Sequence, residues 1–130
     1  MEALEDAMQK VMDNYAGGIS THYQFNETQL ALAEEKIRQI IKLAEQTKAE
    51  DMHELMFVYE LKERLVVCLT LIAHLRARKE TRWHSFCENL NYPEKSDDWL
   101  KYVNSKMEDG KIKIILRDLV GREETYEHCD

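Results

Sequence analysis

The sequence predicts a mainly α chain: an antiparallel three-helix bundle with an appended β-hairpin and a C-terminal tail. Three observations carry that expectation. One Pro and four Gly among 130 residues leave little turn material, so most of the length must go into long regular elements. Apolar residues recur three and four positions apart in three separate stretches, the spacing of helices that bury one face. Asp109-Gly110, a dipeptide suited to tight hairpin turns, sits between two β-leaning runs.

The elements follow in order. Residues 2–15 form the first helix, with Leu4, Met8, Val11 or Met12 and Tyr15 on one side, and Gly17-Gly18 ends it. Residues 19–25 are an aromatic connector without a clear period. A second helix starts at Asn26, a strong N-cap with Gln29 three residues on, and runs to about Thr47. Leu30, Ala33, Ile37, Ile40 or Ile41 and Ala44 make its apolar stripe. The third helix is expected from about Asp51 to about Trp83, roughly 45 Å at 1.5 Å per residue. Leu55, Val58, Leu61, Leu65, Cys68, Leu69, Ile72 and Leu75 keep helical spacing, and from Leu65 to Leu75 the helix is apolar on more sides than two neighbours can cover. Runs at 99–103 and 111–116 then form the hairpin, with Trp99, Tyr102 and Ile114 expected to rest on the bundle, because an isolated hairpin is only marginally stable. The chain reads as a single domain over 1–130, with a helical bundle at 1–92 and the hairpin and tail at 93–130.

A hydrophobic fraction of 44% supports a core, and the 33% of charged residues are mixed in sign. The net charge of −7 and pI near 5.3 argue against nucleic-acid binding. The charge is uneven: residues 1–60 hold 5 basic and 12 acidic side chains, 61–82 hold 6 and 2, and 83–130 hold 7 and 11. No apolar run suits membrane insertion, and the acidic N-terminus is unlike a signal peptide. Three widely spaced cysteines, Cys68, Cys87 and Cys129, fit a reducing, cytoplasmic compartment.

The chemistry is sparse. Four glycines cannot build a phosphate loop, and Cys87, His128 and Cys129 lack metal-ligand spacing. Cys68 reads as a small core residue, His53 and His74 as surface or packing residues, and no Glu-x-x-His motif of the di-iron type lies on the long helix. The one dense constellation is Arg76-Ala77-Arg78-Lys79-Glu80-Thr81-Arg82-Trp83-His84. It is either a solvated, cationic helix end that favours the macrodipole or an ion-pair network joining bundle to hairpin. On a continuous helix, Glu80 would point away from Arg78 and Arg82. Arg82 would then reach the acidic stretch Glu94–Asp98, and Lys79 would face solvent.

The string Ala77 to His84, followed by Asn91-Tyr92-Pro93-Glu94 and Asp97-Asp98-Trp99-Leu100-Lys101, resembles the C-terminal helical domain of the succinate dehydrogenase/fumarate reductase flavoprotein family. That family includes L-aspartate oxidase and the adenylylsulfate reductase flavoprotein subunit. Its long helix ends in A-R-x-E-[ST]-R-G-x-H, followed by a D-Y-P-like segment and D-[DE]-x-W-x-K-H. Leu55–Ala77 resembles the long helix and Ala7–Gly17 the opening one, so the likeness covers nearly the whole chain. Trp83 stands where the family has Gly, as in its adenylylsulfate-reductase-like branch. His84 comes one residue early, and Tyr102 stands where the family has His.

The resemblance implies a structural or docking domain of an FAD-dependent oxidoreductase. It implies FAD in the parent and no cofactor in this chain, whose FAD-binding and capping domains are absent. Its partners would be the parent's flavin-binding domain and an iron–sulfur subunit, with self-association in isolation and electron transfer in the parent. The substrate stays open among a dicarboxylate, aspartate and adenylylsulfate. No catalytic or metal residue is expected; the interdomain or network candidates are Arg78, Glu80, Arg82, Trp83, His84, Asp97, Asp98 and Trp99. A free-standing helical interaction module, binding an acidic partner through the basic patch, is the alternative.

Overall fold

A computed structural model describes residues 2–119. Three helices, α1 (Glu2–Tyr15), α2 (Glu27–Glu45) and α3 (Met52–Ala77), form the bundle. Two short strands, β1 (Gln24–Phe25) and β2 (Glu88–Asn89), pair in parallel, and β3 (Lys101–Glu108) and β4 (Lys111–Asp118) form the hairpin. The expected mainly α architecture is the one observed. The tail from Gly121, with His128 and Cys129, lies outside the described residues.

The helix starts follow local chemistry. Asn26 Oδ1 accepts from Gln29 N–H at 2.8 Å, and Asp51 Oδ1 accepts from Glu54 N–H at 2.8 Å, so each cap satisfies a donor with no partner inside its helix. α1 ends at Gly17, whose φ of 76° is left-handed. Gly18 then passes so close to α1 that an added Cβ would lie 2.5 Å from the Asp13 Cα. Arg76, at the end of α3, meets Glu27 and Glu34 near the start of α2, which shows these two helices to be antiparallel. The core takes Met8 and Val11 from α1, Leu30, Ala33, Ile37, Ile40 and Ala44 from α2, and Leu61, Leu65, Leu69 and Ile72 from α3. Each large aliphatic side chain fully buried here contributes roughly 1.5–3 kcal/mol.

Two expectations change. α3 stops at Ala77 instead of running to Trp83, because Arg78 turns to extended backbone at ψ 108°. No Gly or Pro marks that stop; tertiary bonds impose it. The aromatic connector also has definite structure: a 3-10 turn at Ile19–Thr21, left-handed His22 and Tyr23, then β1. Tyr23 and Phe25 carbonyls accept from Glu88 N–H at 2.9 Å and Leu90 N–H at 2.8 Å, so the chain entering α2 is tied to the chain leaving α3.

The hairpin turns on Asp109 and Gly110, both at positive φ, as a type I′ turn requires. It begins later and runs longer than expected. Its inward positions include Val103, Ser105, Ile112 and Ile114, whereas Tyr102 is half exposed on the other face. Ile112 packs against the core, and Ser105 Oγ lies 2.8 Å from His74 Nε2, which fastens the hairpin to the end of α3.

The far side of α3 is bare. Met52, Met56, Tyr59, Val66 and Val67 are exposed on the helix face away from the core, with exposed Glu63 between Tyr59 and Val67. No helix of the described residues is long and apolar enough to cross a membrane. Because Leu65 is fully buried and Val67 is 66% exposed, Leu65→Ala should lower stability by about 2–5 kcal/mol and Val67→Ala by about 0.5 kcal/mol or less. Denaturant melts of the two variants check this, and equal losses would contradict the assigned faces.

Candidate functional site

The segment after α3 builds the site. It leaves the helix at Arg78 and bends at Glu80, and along this non-helical course Arg78, Glu80 and Arg82 converge instead of diverging as they would on a helix. The Glu80 side chain is wholly buried between them. Its Oε1 accepts from Arg78 Nη1 at 2.7 Å and Arg82 Nε at 2.8 Å, while Oε2 accepts from Arg82 Nη2 at 2.8 Å and Ser96 N–H at 3.1 Å. Arg82 thus grips the carboxylate with two parallel bonds, the strongest form of this pairing. Burial by itself disfavours the charged form of Glu80. The bonds from Arg82, Ser96 and Arg78 outweigh it and hold the carboxyl below its usual range.

The guanidiniums also reach the chain that leads into the hairpin. Arg78 donates to the carbonyls of Trp99 at 2.8 Å and Lys101 at 2.7 Å, and its guanidinium lies 5.9 Å from the centre of the Trp99 ring. Arg82 donates to the Ser96 carbonyl at 3.2 Å. The expected ion pair from Arg82 to the Glu94–Asp98 carboxylates is not formed among the described residues: Asp97 and Asp98 are exposed, and the backbone of that stretch provides the contacts.

Thr81, between Glu80 and Arg82, faces the other way and is 1% exposed. Its hydroxyl accepts from Asn89 N–H at 3.0 Å and donates to the Tyr92 carbonyl at 2.8 Å, and its own N–H donates to Glu94 O at 3.2 Å. Asn89 Oδ1 accepts from Asn91 N–H at 3.0 Å, and Asn91 Oδ1 caps Glu27 N–H at 2.7 Å. One chain of bonds therefore runs from the end of α3 to the start of α2. Thr81, Asn89, Asn91 and Ser96 were not among the expected network residues, although Thr81 and Asn91 fall within the segments that carry the family resemblance.

Trp83 and His84 stand outside the network. Trp83 is 68% exposed and opens a tight loop closed by Cys87 N–H on the Trp83 carbonyl at 2.9 Å, with Ser85 left-handed and Phe86 exposed. Lys79 faces solvent, as expected. Two concavities flank the segment. A groove of about 690 Å³ is lined by Glu27, Glu34, Arg76, Asn91, Tyr92 and Ile114. Arg76 spans it, donating from Nε to Glu27 at 2.8 Å and pairing with Glu34. A cup of about 270 Å³ is lined by Arg78, Glu80, Arg82, Trp83, His74 and Cys87, among others. Burial pushes the Cys87 thiol up, as it does Cys68, so neither is an activated thiolate. No group of three metal-binding side chains occurs among the described residues.

The chain belongs to the family described as fumarate reductase flavoprotein C-term, which it matches over residues 5–127. It is 31% identical over 107 residues to adenylylsulfate reductase subunit alpha of Megalodesulfovibrio gigas, covering 78% of this chain and 16% of that protein. A solved adenosine-5-phosphosulfate reductase in complex with sulfite (covalent adduct) superposes with a TM-score of 0.85 at 34% identity, over 93% of this chain and 19% of that one. Adenylylsulfate reductase from the hyperthermophilic Archaeoglobus fulgidus gives 0.84 at 33% identity, over the same shares. The chain thus spans less than a fifth of the length of these relatives.

Arg82→Ala would leave the wholly buried Glu80 carboxylate short of two of its bonds and should destabilise the fold by about 3–5 kcal/mol. Lys79→Ala should cost less than about 1 kcal/mol. Denaturant melts separate the two. Near-zero losses for both would make the cluster a solvated helix end. The Glu80 carboxyl titrates lower in the folded chain than in the unfolded one. Its contribution is therefore complete above the unfolded value of about 4.3 and disappears as pH falls through the folded value. A stability profile from about pH 6 to pH 3 should fall less steeply in Glu80→Gln than in the parent chain.

Proposed function

We propose that the chain serves as the C-terminal structural and docking domain of an FAD-dependent oxidoreductase of the adenylylsulfate reductase subunit alpha type, and that it does not catalyse by itself. The observation that carries this reading is the family match over residues 5–127, together with the small share of each relative that the chain spans. The relatives and Trp83 favour a sulfur substrate in the parent over a dicarboxylate or aspartate. FAD in such a parent supplies two-electron redox. The described residues do not fit that cofactor. The helix N-termini that could meet its pyrophosphate are already filled, with Asn91 and Asn26 on α2 and Asp51 on α3, and each carries a carboxylate, Glu27 or Glu54, in its first turn. FAD would thus be held by the parent's own flavin domain.

The docking face is the bare side of α3. Met52, Met56 and Tyr59, and past the exposed Glu63 Val66 and Val67, give that side the exposed apolar area that marks a protein contact. The flavin domain would cover it, with an iron–sulfur subunit meeting the same assembly from another side. In isolation the stripe would pair with a second copy in a symmetric dimer.

Two outcomes are expected. The purified chain should show no flavin absorbance band, and stoichiometric FAD would contradict the reading. In sedimentation it should self-associate, and the double variant Met56→Glu/Val67→Glu should be monomeric with its melting behaviour little changed, since both side chains are exposed. In the full flavoprotein the same double variant should release FAD more readily. Unchanged FAD retention there would remove the docking role from this face.

A further inference from the structure

We propose that the cup between Arg78 and Arg82 is a socket for a carboxylate on the docking partner: an Asp or Glu side chain of the flavin-binding part of the parent, with Trp83 packing on the surface beside it. This inference rests on the docking reading above.

The argument begins with charge. Two guanidiniums face one carboxylate, so the Arg78-Glu80-Arg82 set keeps one positive charge after its internal pairing. The lining side chains that bear on that balance are Glu80, which is already counted, and His74, whose Nε2 is engaged with Ser105.

The donors are also incomplete. Arg78 uses Nη1 and Nη2, and Arg82 uses Nε and Nη2. Arg78 Nε and Arg82 Nη1 make no hydrogen bond among the described residues. Both side chains are about a quarter exposed, at 29% and 23%, so an incoming acceptor can reach them. Partial burial strengthens a charge-assisted bond relative to one in open solvent.

Size and rim select the partner. About 270 Å³ accommodates a side chain and lies below the usual range of small-molecule pockets. The rim carries Trp83, which is 68% exposed on a loop pinned at both ends by the Trp83–Cys87 bridge. A rigid, exposed Trp beside half-buried Arg is the composition of a protein-interface anchor. A carboxylate on a polypeptide surface, offering apolar contact next to it, satisfies both features at once.

The test titrates the ¹⁵N-labelled chain with acetyl-Ala-Asp-Ala-amide, with its Asn counterpart and with inorganic phosphate, following the Arg78 and Arg82 Nε–H and Trp83 indole N–H signals. The Asp peptide should move all three saturably, and the Asn peptide none. Glu80→Gln, checked for its fold by the same spectrum, should bind the Asp peptide about tenfold more tightly because a nearby counter-charge is gone. Lys79→Ala should bind nearly as the parent chain does. Equal shifts from the Asp and Asn peptides, or none, would overturn the socket. So would loss of the response in Lys79→Ala, which would indicate a diffuse positive field. Phosphate displacing the Asp peptide at equal concentration would make the cup a general anion site and overturn the protein-partner assignment. If Glu80→Gln does not fold, the wild-type titration alone decides. A silent titration with FAD release by the α3 double variant defeats the socket and spares the docking role. A saturable Asp response without FAD release keeps the socket and defeats its assignment to the flavin domain.

Discussion

The arrangement of the chain's second half depends on one buried carboxylate. Glu80 has no exposed side-chain area, and an ion in that position is tolerated only when it is paired and hydrogen-bonded on both oxygens. Four donors meet that demand, and they come from Arg78, Arg82 and the Ser96 backbone. A helix could not bring Arg78 and Arg82 to the same side as Glu80. The chain must leave α3 at Ala77 and follow a non-helical course, and this redirects everything after it. Thr81 on the same segment turns to Asn89 of β2 and to the Tyr92 carbonyl.

The parts legible in the sequence were those in which local chemistry and burial agree. Asn26 caps α2 and Asp51 caps α3 where their residue types call for caps. Ala33, Ile37 and Leu65 lie in the core because their spacing leaves no other face to bury. Asp109-Gly110 turns the hairpin because its conformation favours those two residues. The end of α3 was not legible, since Ala77-Arg78-Lys79-Glu80 are all good helix formers and the stop is imposed by residues far along the chain. Tyr102 was misplaced for a different reason: Trp99 and Tyr102 stand three apart and cannot share a strand face, and Trp99 lies in a 3-10 turn before the strand, so Tyr102 alternates outward between Lys101 and Val103. Likeness to a known family pointed to Arg78, Glu80 and Arg82 together, but only the course of the chain after Ala77 shows that they bind one another.

In the proposed docking role, the two exposed features would divide the work in different physical terms. The α3 stripe offers apolar area, which is non-directional and gives affinity without fixing orientation. The clasp, with Trp83 standing beside it, offers direction: planar guanidiniums, a pinned indole and a single excess charge. Electrostatic complementarity of this sort contributes register and partner choice more than raw affinity. Used together in the proposed role, the two would be more selective than either alone, because a wrong partner would have to match both an apolar surface and a lone carboxylate.

An apolar replacement of the clasp would not be a neutral exchange. Buried ion triads in other folds can give way to hydrophobic residues of similar volume and gain stability. Here the triad also serves the backbone. Arg78 occupies the carbonyls of Trp99 and Lys101, Arg82 that of Ser96, and Glu80 the Ser96 N–H. Hydrophobic side chains would leave all of these without partners, and each one that stays buried costs about 1–3 kcal/mol. They cannot be satisfied by lengthening α3, because the hairpin strand that begins at Lys101 is already committed to pairing with β4. The charged residues at 78, 80 and 82 are thus held in place by the loop they support, and the loop keeps its course because they are there.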